Sequence, residues 1–301
     1  MRIVSLLPSA TEIVCALGMA DSLVAVSHEC DYPPEVVSAL PVATASAIPP
    51  GLTSAEIDAL VTQLLREGKG LYTLHADLIR ELTPDLILTQ QVCSVCAVDY
   101  AQTCAVVGSL NCPAHVVSLC ADSIEGVFAD IFAVAQAIGV VEQAETLVAN
   151  LRARLRRVQQ GVPRLRRPPR VCVLEWLDPP FVAGHWVPEM IAIAGGQDVL
   201  GVPGKPSFRV TWDCIVAAQP EVILMVPCGY TAEQARQEWE QLPKPAKWAE
   251  VPAVRAGQVF FLEANAYFSR PGPRLVDGVE QIAPLLAGGR QTQLPVHQGA
   301  W

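Results

Sequence analysis

The chain predicts an α/β fold: two Rossmann-like lobes with mostly parallel sheets, joined by one long backbone helix, with a ligand cleft between the lobes. Three observations predict it. Short apolar runs alternate with helical stretches along the whole chain, the pattern of a parallel sheet wrapped by helices. One phrase occurs twice: Asp77-Leu-Ile-Arg-Glu-Leu-Thr-Pro84-Asp85-Leu86-Ile87-Leu88 is answered by Asp213-Cys-Ile-Val-Ala-Ala-Gln-Pro220-Glu221-Val222-Ile223-Leu224. Each copy is an acid, six residues, Pro, an acid and three apolar residues, and the 136-residue separation is far too long for a solenoid period. Between the copies, Val141 to Gln160 reads as one uninterrupted helix.

The elements follow in order. Arg2 to Leu7 is a short buried strand, and Pro8 to Glu12 turns the chain into a helix that runs through Leu17 and stops at Gly18. Leu23 to Ser27 is the second strand. His28 to Pro34 is a loop, because paired prolines forbid helix and ladder alike. Ser54 to Glu67 is an amphipathic helix, Ala76 to Leu82 a further helix, and Asp85 to Thr89 and Val116 to Ser118 are strands. Asp122-Ser-Ile-Glu125 has the form of a capping box that opens a helix to Ile138. Gly139 interrupts before the long helix, whose arginine-rich last turns suit the negative end of its dipole.

Gly161 to Pro169, rich in proline and arginine, is a linker. A second round begins at Arg170. Val171 to Glu175 is a strand, Pro179-Pro180-Phe181 a loop, and Pro188 to Ala194 a helix ended by Gly195-Gly196. Ile215 to Ala218 leads into the strand Glu221 to Met225. Val259 to Leu262 is the last strand and Pro273 to Ala287 the closing helix. The expected division is therefore an N-terminal lobe at 1–139, a bridging helix and linker at 140–168, a C-terminal lobe at 169–290 and a frayed tail at 291–301. A stiff bridge limits hinge motion more than a flexible crossover would.

Bulk properties narrow the function. A chain of 301 residues that is 51% hydrophobic and 17% charged can bury well-formed sheets without staples. A net charge of −9 argues against a nucleic-acid partner, since phosphates demand a basic face. The basic run Arg152 to Arg170 reads as a solvated helix face and linker. Only five residues separate Met1-Arg2 from Pro8, too few for a secretory signal, and no apolar run approaches the ~20 residues of a membrane span. The chain as written is expected in the cytoplasm, or in the periplasm or at the cell surface if the start is truncated. Ten cysteines are then expected to be reduced, with Cys15, Cys172 and Cys214 as small core residues.

Ligands of open α/β sheets sit beyond the carboxyl ends of the strands. Four segments qualify: His28 to Pro34, Gln90 to Tyr100, Trp176 to Trp186 and Asn265 to Arg274. They carry Tyr32, Tyr100, Trp176, Phe181, Trp186, Tyr267 and Phe268. Together these rings suit a cleft for a large, partly apolar ligand, although each ring could instead plug its own lobe. Asn265, Arg270 and Arg274 would orient polar ligand edges. His185 could approach a chelated metal or simply hold a turn.

Cys93-Ser-Val-Cys96 is a CxxC without a second pair. With His28 and Cys30 it could form a soft Zn or Fe site, the alternative being a packed thiol pair in a turn. That set defines the alternative function, a cytosolic metal or redox protein. Asp77 and Asp213 are either solvated first-turn acids or two equivalent points offered to a basic partner. No nucleophile elbow, P-loop or dinucleotide fingerprint is present, so a non-enzymatic binding protein is expected.

At these residues the chain resembles the class III substrate-binding proteins of ABC importers, also called helical-backbone metal receptors, in a branch lacking a signal peptide. The resemblance spans residues 2 to about 287 and rests on the order of its motifs. They are Ser5-Leu-Leu-Pro-Ser-Ala-Thr-Glu12, Asp31-Tyr-Pro-Pro34, Pro84-Asp-Leu-Ile87, Pro179-Pro-Phe181 with Gly184, Gly195-Gly196, and Phe268-Ser-Arg270 with Pro273-Arg274. It implies two lobes bridged by one rigid helix that hold a cobalamin-like corrinoid, a haem or another metal-tetrapyrrole, or a siderophore, for uptake with an ABC permease as partner; a monomer is expected. Tyr32 and Phe181 match ring-contacting aromatics of members that bind vitamin B12, and Tyr267 falls where those have Trp. Asp77 and Asp213 fall where the family places lobe-tip glutamates that dock on permease arginines.

Overall fold

The computed structural model describes residues 1–91, 100–109, 114–163 and 166–288. The chain divides into two compact units. Unit 1 comprises Met1–Leu52, Glu56–Ala121 and Glu125–Ala149, and unit 2 comprises Thr53–Ala55, Asp122–Ile124 and Asn150–Trp301. The helix Val141–Gly161 contributes its first nine residues to unit 1 and the rest to unit 2. The tail expected to fray, 291–301, lies outside the described residues.

In unit 1 the strands β1 (Ile3–Ser5), β2 (Leu23–Ala25), β3 (Thr44–Ser46), β4 (Tyr72–Leu74), β5 (Leu86–Gln90) and β6 (His115–Leu119) form two sheets. The larger has the order β2-β1-β5-β6 and is parallel throughout, with Ile3 beside Leu86 and Leu86 beside His115. β5 is buried along its whole length, which is why it reads as a run of apolar residues rather than an alternation. β3 and β4 make a separate antiparallel pair that the sequence pattern did not indicate, three residues being too few to show a period. Val4, Leu6, Ala25, Ile79 and Ile87 centre the core.

Unit 2 repeats the plan with β7 (Arg170–Trp176), β8 (Phe181–Val182), β9 (Gln197–Asp198), β10 (Phe208–Arg209), β11 (Val222–Met225) and β12 (Val259–Phe261). β7, β11 and β12 are parallel neighbours in the places of β1, β5 and β6. β8 and β10 add an antiparallel edge where a loop was expected around Phe181. Its core holds Cys172, Leu174, Ile215, Ile223 and Met225, with Trp239 and Trp248 packed ring to ring at 5.1 Å. Of the three cysteines expected in a core, Cys172 is buried and Cys15 half-buried. Cys214 is exposed, because Ile215 takes the inward position of the helix Trp212–Ala218.

The doubled phrase folds into a doubled hydrogen-bond device. Each copy is a seven-residue helix (Ala76–Leu82 and Trp212–Ala218) ended by a left-handed residue, Thr83 at φ 40° and Gln219 at φ 45°. A buried proline follows, Pro84 or Pro220. The next acid accepts from the backbone N–H of the arginine just before β1 or at the start of β7: Asp85 from Arg2 at 2.7 Å, Glu221 from Arg170 at 3.0 Å. Each arginine side chain then donates to the last carbonyl of the helix, Arg2 to Leu82 at 2.8 Å and Arg170 to Ala218 at 2.7 Å. Arginine at a helix carboxyl end also complements the dipole.

Candidate functional site

In unit 1 the turn after β1 is held by buried hydroxyls. Thr11 Oγ1 donates to Ser5 Oγ at 2.8 Å, and Ser5 Oγ donates to the Leu7 carbonyl at 3.0 Å. Thr11 Oγ1 also lies 3.2 Å from Cys30 Sγ, tying the loop after β2 to the helix Pro8–Ala16. In the same loop the His28 N–H donates to Thr44 Oγ1 at 3.0 Å, and His28 Nδ1 lies 2.6 Å from that oxygen. Its ring stands 5.5 Å from Tyr72, and burial lowers its pKa. Tyr32 is half-buried at the end of this loop. After β6, the buried Asp130 carboxylate accepts from the Cys120 and Ala121 N–H groups at 3.1 and 3.0 Å. Burial pushes Asp130 up to about 6, against the opposing pull of those bonds.

In unit 2 the rings sort into two sets. Trp176, at the end of β7, is half-buried, with its ring 5.8 Å from Tyr230. Phe181 is half-buried on β8 opposite Arg209 of β10, whose guanidinium stands 5.4 Å from the ring centroid. Trp186, Tyr267 and Phe268, by contrast, are 7%, 6% and 2% exposed. Trp186 Nε1 donates to the Phe268 carbonyl at 2.7 Å, and Arg274 covers the Tyr267 ring at 5.1 Å. Trp186, Tyr267 and Phe268, expected on a ligand wall, are thus largely buried, with contacts to one another's segments inside unit 2. They fill space beneath the loops because a large ring gains most by full burial. Asn265 Oδ1 is engaged too, accepting from Gly229 N–H at 2.9 Å, so it ties the short helix Ala264–Tyr267 to the loop after β11. Arg270 is half-buried.

His185 is set by its backbone. It adopts φ 51°, its N–H donates to Lys205 O at 2.7 Å, and its O accepts from Gly204 N–H at 2.9 Å. The preceding residue must be glycine: a Cβ on Gly184 would stand 2.2 Å from Lys205 O. The imidazole stacks on Trp186 at 5.4 Å. Its Nδ1 is buried without a hydrogen-bond partner, and burial lowers its pKa, keeping the ring neutral at physiological pH. A neutral imidazole held on a rigid indole can act as a metal ligand.

Tyr230, in the loop after β11, escaped the sequence reading. The signal was available, since Pro227-Cys-Gly-Tyr230 directly follows the strand of the second phrase copy. Burial and a hydrogen bond with Glu238 push its phenol pKa upward.

Of the expected metal set, Cys93 and Cys96 lie outside the described residues, as does the side chain of Tyr100, the first residue of the helix Tyr100–Ser109. Among the described residues no group of three or more His, Cys, Asp and Glu side chains could hold a metal ion. Asp77 and Asp213 are both exposed, each the second residue of its helix. Neither caps a helix: Thr211 caps the second, accepting from Cys214 N–H, and His75 precedes the first without a side-chain cap. Asp77 is 95% exposed and pairs with Arg80 at 2.5 Å.

Residues 3–266 match the family described as periplasmic binding protein. The chain belongs to this family. The resemblance to substrate-binding proteins of ABC importers, and the two-lobed α/β fold it implied, are thereby borne out. The chain is 25% identical over 288 residues to the vitamin B12-binding protein of Vibrio cholerae serotype O1, covering 95% of this chain and 88% of that one. It is 23% identical over 287 residues to an uncharacterized ABC transporter substrate-binding lipoprotein of Bacillus subtilis, covering 94% and 78%. Among solved structures, the periplasmic vitamin B12 binding protein of Vibrio cholerae superposes with a TM-score of 0.69 at 24% identity, covering 97% of this chain and 98% of that one. The periplasmic heme-binding protein RhuT of Roseiflexus superposes with a TM-score of 0.70 at 24% identity, covering 96% and 98%. These likenesses lend no support to the cytoplasmic placement expected from the sequence. Among the described residues no helix is long and apolar enough to cross a membrane.

Proposed function

We propose that this periplasmic binding protein family member binds a metal-tetrapyrrole, a cobalamin-like corrinoid or a haem, for delivery to an ABC permease. The observation that carries the proposal is the sorting of the rings. Tyr32, Trp176, Phe181 and Tyr230 keep part of their surface outside their units, each in or beside a segment at the carboxyl end of a sheet. Flat rings in such segments suit a flat macrocycle, since ring-on-ring contact adds to simple burial. Neutral His185 supplies a nitrogen for the chelated metal, and Arg270 a charge for acidic or amide edges. Trp186, Asn265, Tyr267 and Phe268 then support the segments from behind or beside them. Asp77 and Asp213, occupying equivalent positions in the doubled phrase, are the proposed docking acids. The Val141–Gly161 helix, with the linker after it, is the proposed bridge.

Relatives bind both kinds of ligand, judging by their names: vitamin B12 in one group, heme in another. The His28/Cys30/Cys93/Cys96 metal reading is not favoured, because His28 and Cys30 are engaged with Thr44 and Thr11. The protein purified from its own source, without added ligand, tests the proposal by colour and intact mass under non-denaturing conditions. A co-purifying corrinoid or haem is the expected result. A colourless protein carrying a peptide or sugar would overturn it.

A further inference from the structure

We propose that Cys15 and Cys30 form a redox-controlled disulfide that fastens the loop 28–34 to the first helix of the chain. Both are thiols in the structure and both are half-buried in unit 1. Thr11 and Cys15 stand one turn apart on the helix Pro8–Ala16, with Cβ atoms about 6 Å apart on one face. Cys30 Sγ already touches Thr11 at 3.2 Å. Closing the bond draws the loop along the helix by less than one turn, roughly 5 Å. After burial, Glu12 and Glu35, Cys30 adds to the upward shift of the Cys15 thiol.

The chemistry is thiol–disulfide exchange with a small disulfide such as oxidised glutathione. The Cys30 thiolate attacks one glutathione sulfur, forming a mixed disulfide and releasing one glutathione thiolate. Cys15 then gives up its proton, and its sulfur attacks Cys30 Sγ and expels the second glutathione thiolate. One protein disulfide forms for each oxidised glutathione reduced to two thiols. Burial, then Glu12 and Glu35, push the Cys15 thiol up to about 12. The second step is therefore the slow one, and the Cys30 adduct accumulates first.

The loop carries Tyr32, so the consequence for ligand binding rests on the function proposed above; the bond itself is tested without ligand. The full chain is incubated with oxidised glutathione, alkylated, and digested with a protease that cuts after glutamate. Cuts at Glu12, Glu29 and Glu35 place Cys15 in peptide 13–29 and Cys30 in peptide 30–35. The expected result is a 13–29/30–35 linked pair that disappears on reduction, preceded by a glutathione adduct on Cys30. In Cys15→Ala the adduct persists and no linked pair forms. Hydrogen exchange of the 28–32 amides slows in the oxidised wild type and not in oxidised Cys15→Ala. Separate, alkylated peptides after prolonged exposure would overturn the proposal. So would a Cys30 peptide linked to any other cysteine, or loop exchange unchanged once the bond has formed.

Discussion

Phe268 and Trp176 are both large aromatic residues of unit 2, yet one is buried and the other half-buried. Phe268 is fully buried, so Phe268→Ala should destabilise the protein by about 3–5 kcal/mol, read by chemical denaturation. Trp176→Ala and Tyr32→Ala should leave stability within about 1 kcal/mol but weaken tetrapyrrole binding at least about tenfold, in line with loss of a ring contact. Gly184→Ala would force a Cβ against the Lys205 and Ser207 backbone, which cannot yield as a flexible side chain would. A cost of about 3 kcal/mol is expected, with loss of the His185 turn. Asp130 gives a pH signature. Its pKa in the folded chain, about 6, lies above the ordinary 3.8, so the folded state holds the proton more tightly. Its contribution is therefore full below about pH 4 and lost as pH rises through about 6, a swing of about 3 kcal/mol. In Asp130→Asn that part of the pH dependence should vanish; an unchanged stability profile between about pH 4 and 7 would refute the assignment.

At the scale of elements, the doubled phrase shows which structure can be read from a sequence. Its Pro-acid junctions are local: proline forbids the helix from continuing, and the following apolar run needs a buried strand, so both copies were legible. What the acids do was not legible, because their partners Arg2 and Arg170 lie 83 and 51 residues away. The β3–β4 and β8–β10 pairs were hidden for a different reason, their strands being only two or three residues long. The burial of Trp186, Tyr267 and Phe268 was hidden because ring type does not reveal which way a loop faces. The second half of the long helix is held within unit 2 by an ion triad, Arg154 with Glu280 at 2.6 Å and with Asp277. Arg154→Ala would leave two partly buried acids without their cation. About 2–3 kcal/mol should be lost, less than for a fully buried pair because all three side chains keep some exposure.

For the whole molecule, the family membership supports a ligand-binding role; the proposed account adds that the ligand is a flat metal chelate and that each unit presents an acid to a permease. Replacing Asp77 and Asp213 together by arginine should leave ligand affinity unchanged while abolishing stimulation of a reconstituted permease, since both acids are exposed. The ligand decides the account. Purified, ligand-free protein titrated with aquocobalamin and, separately, with haemin should shift the visible bands of at least one. Saturation is expected at one equivalent, with a Kd below about 10 μM, or roughly 7 kcal/mol of binding free energy. No spectral change and no retained ligand with either compound at tens of micromolar would contradict it.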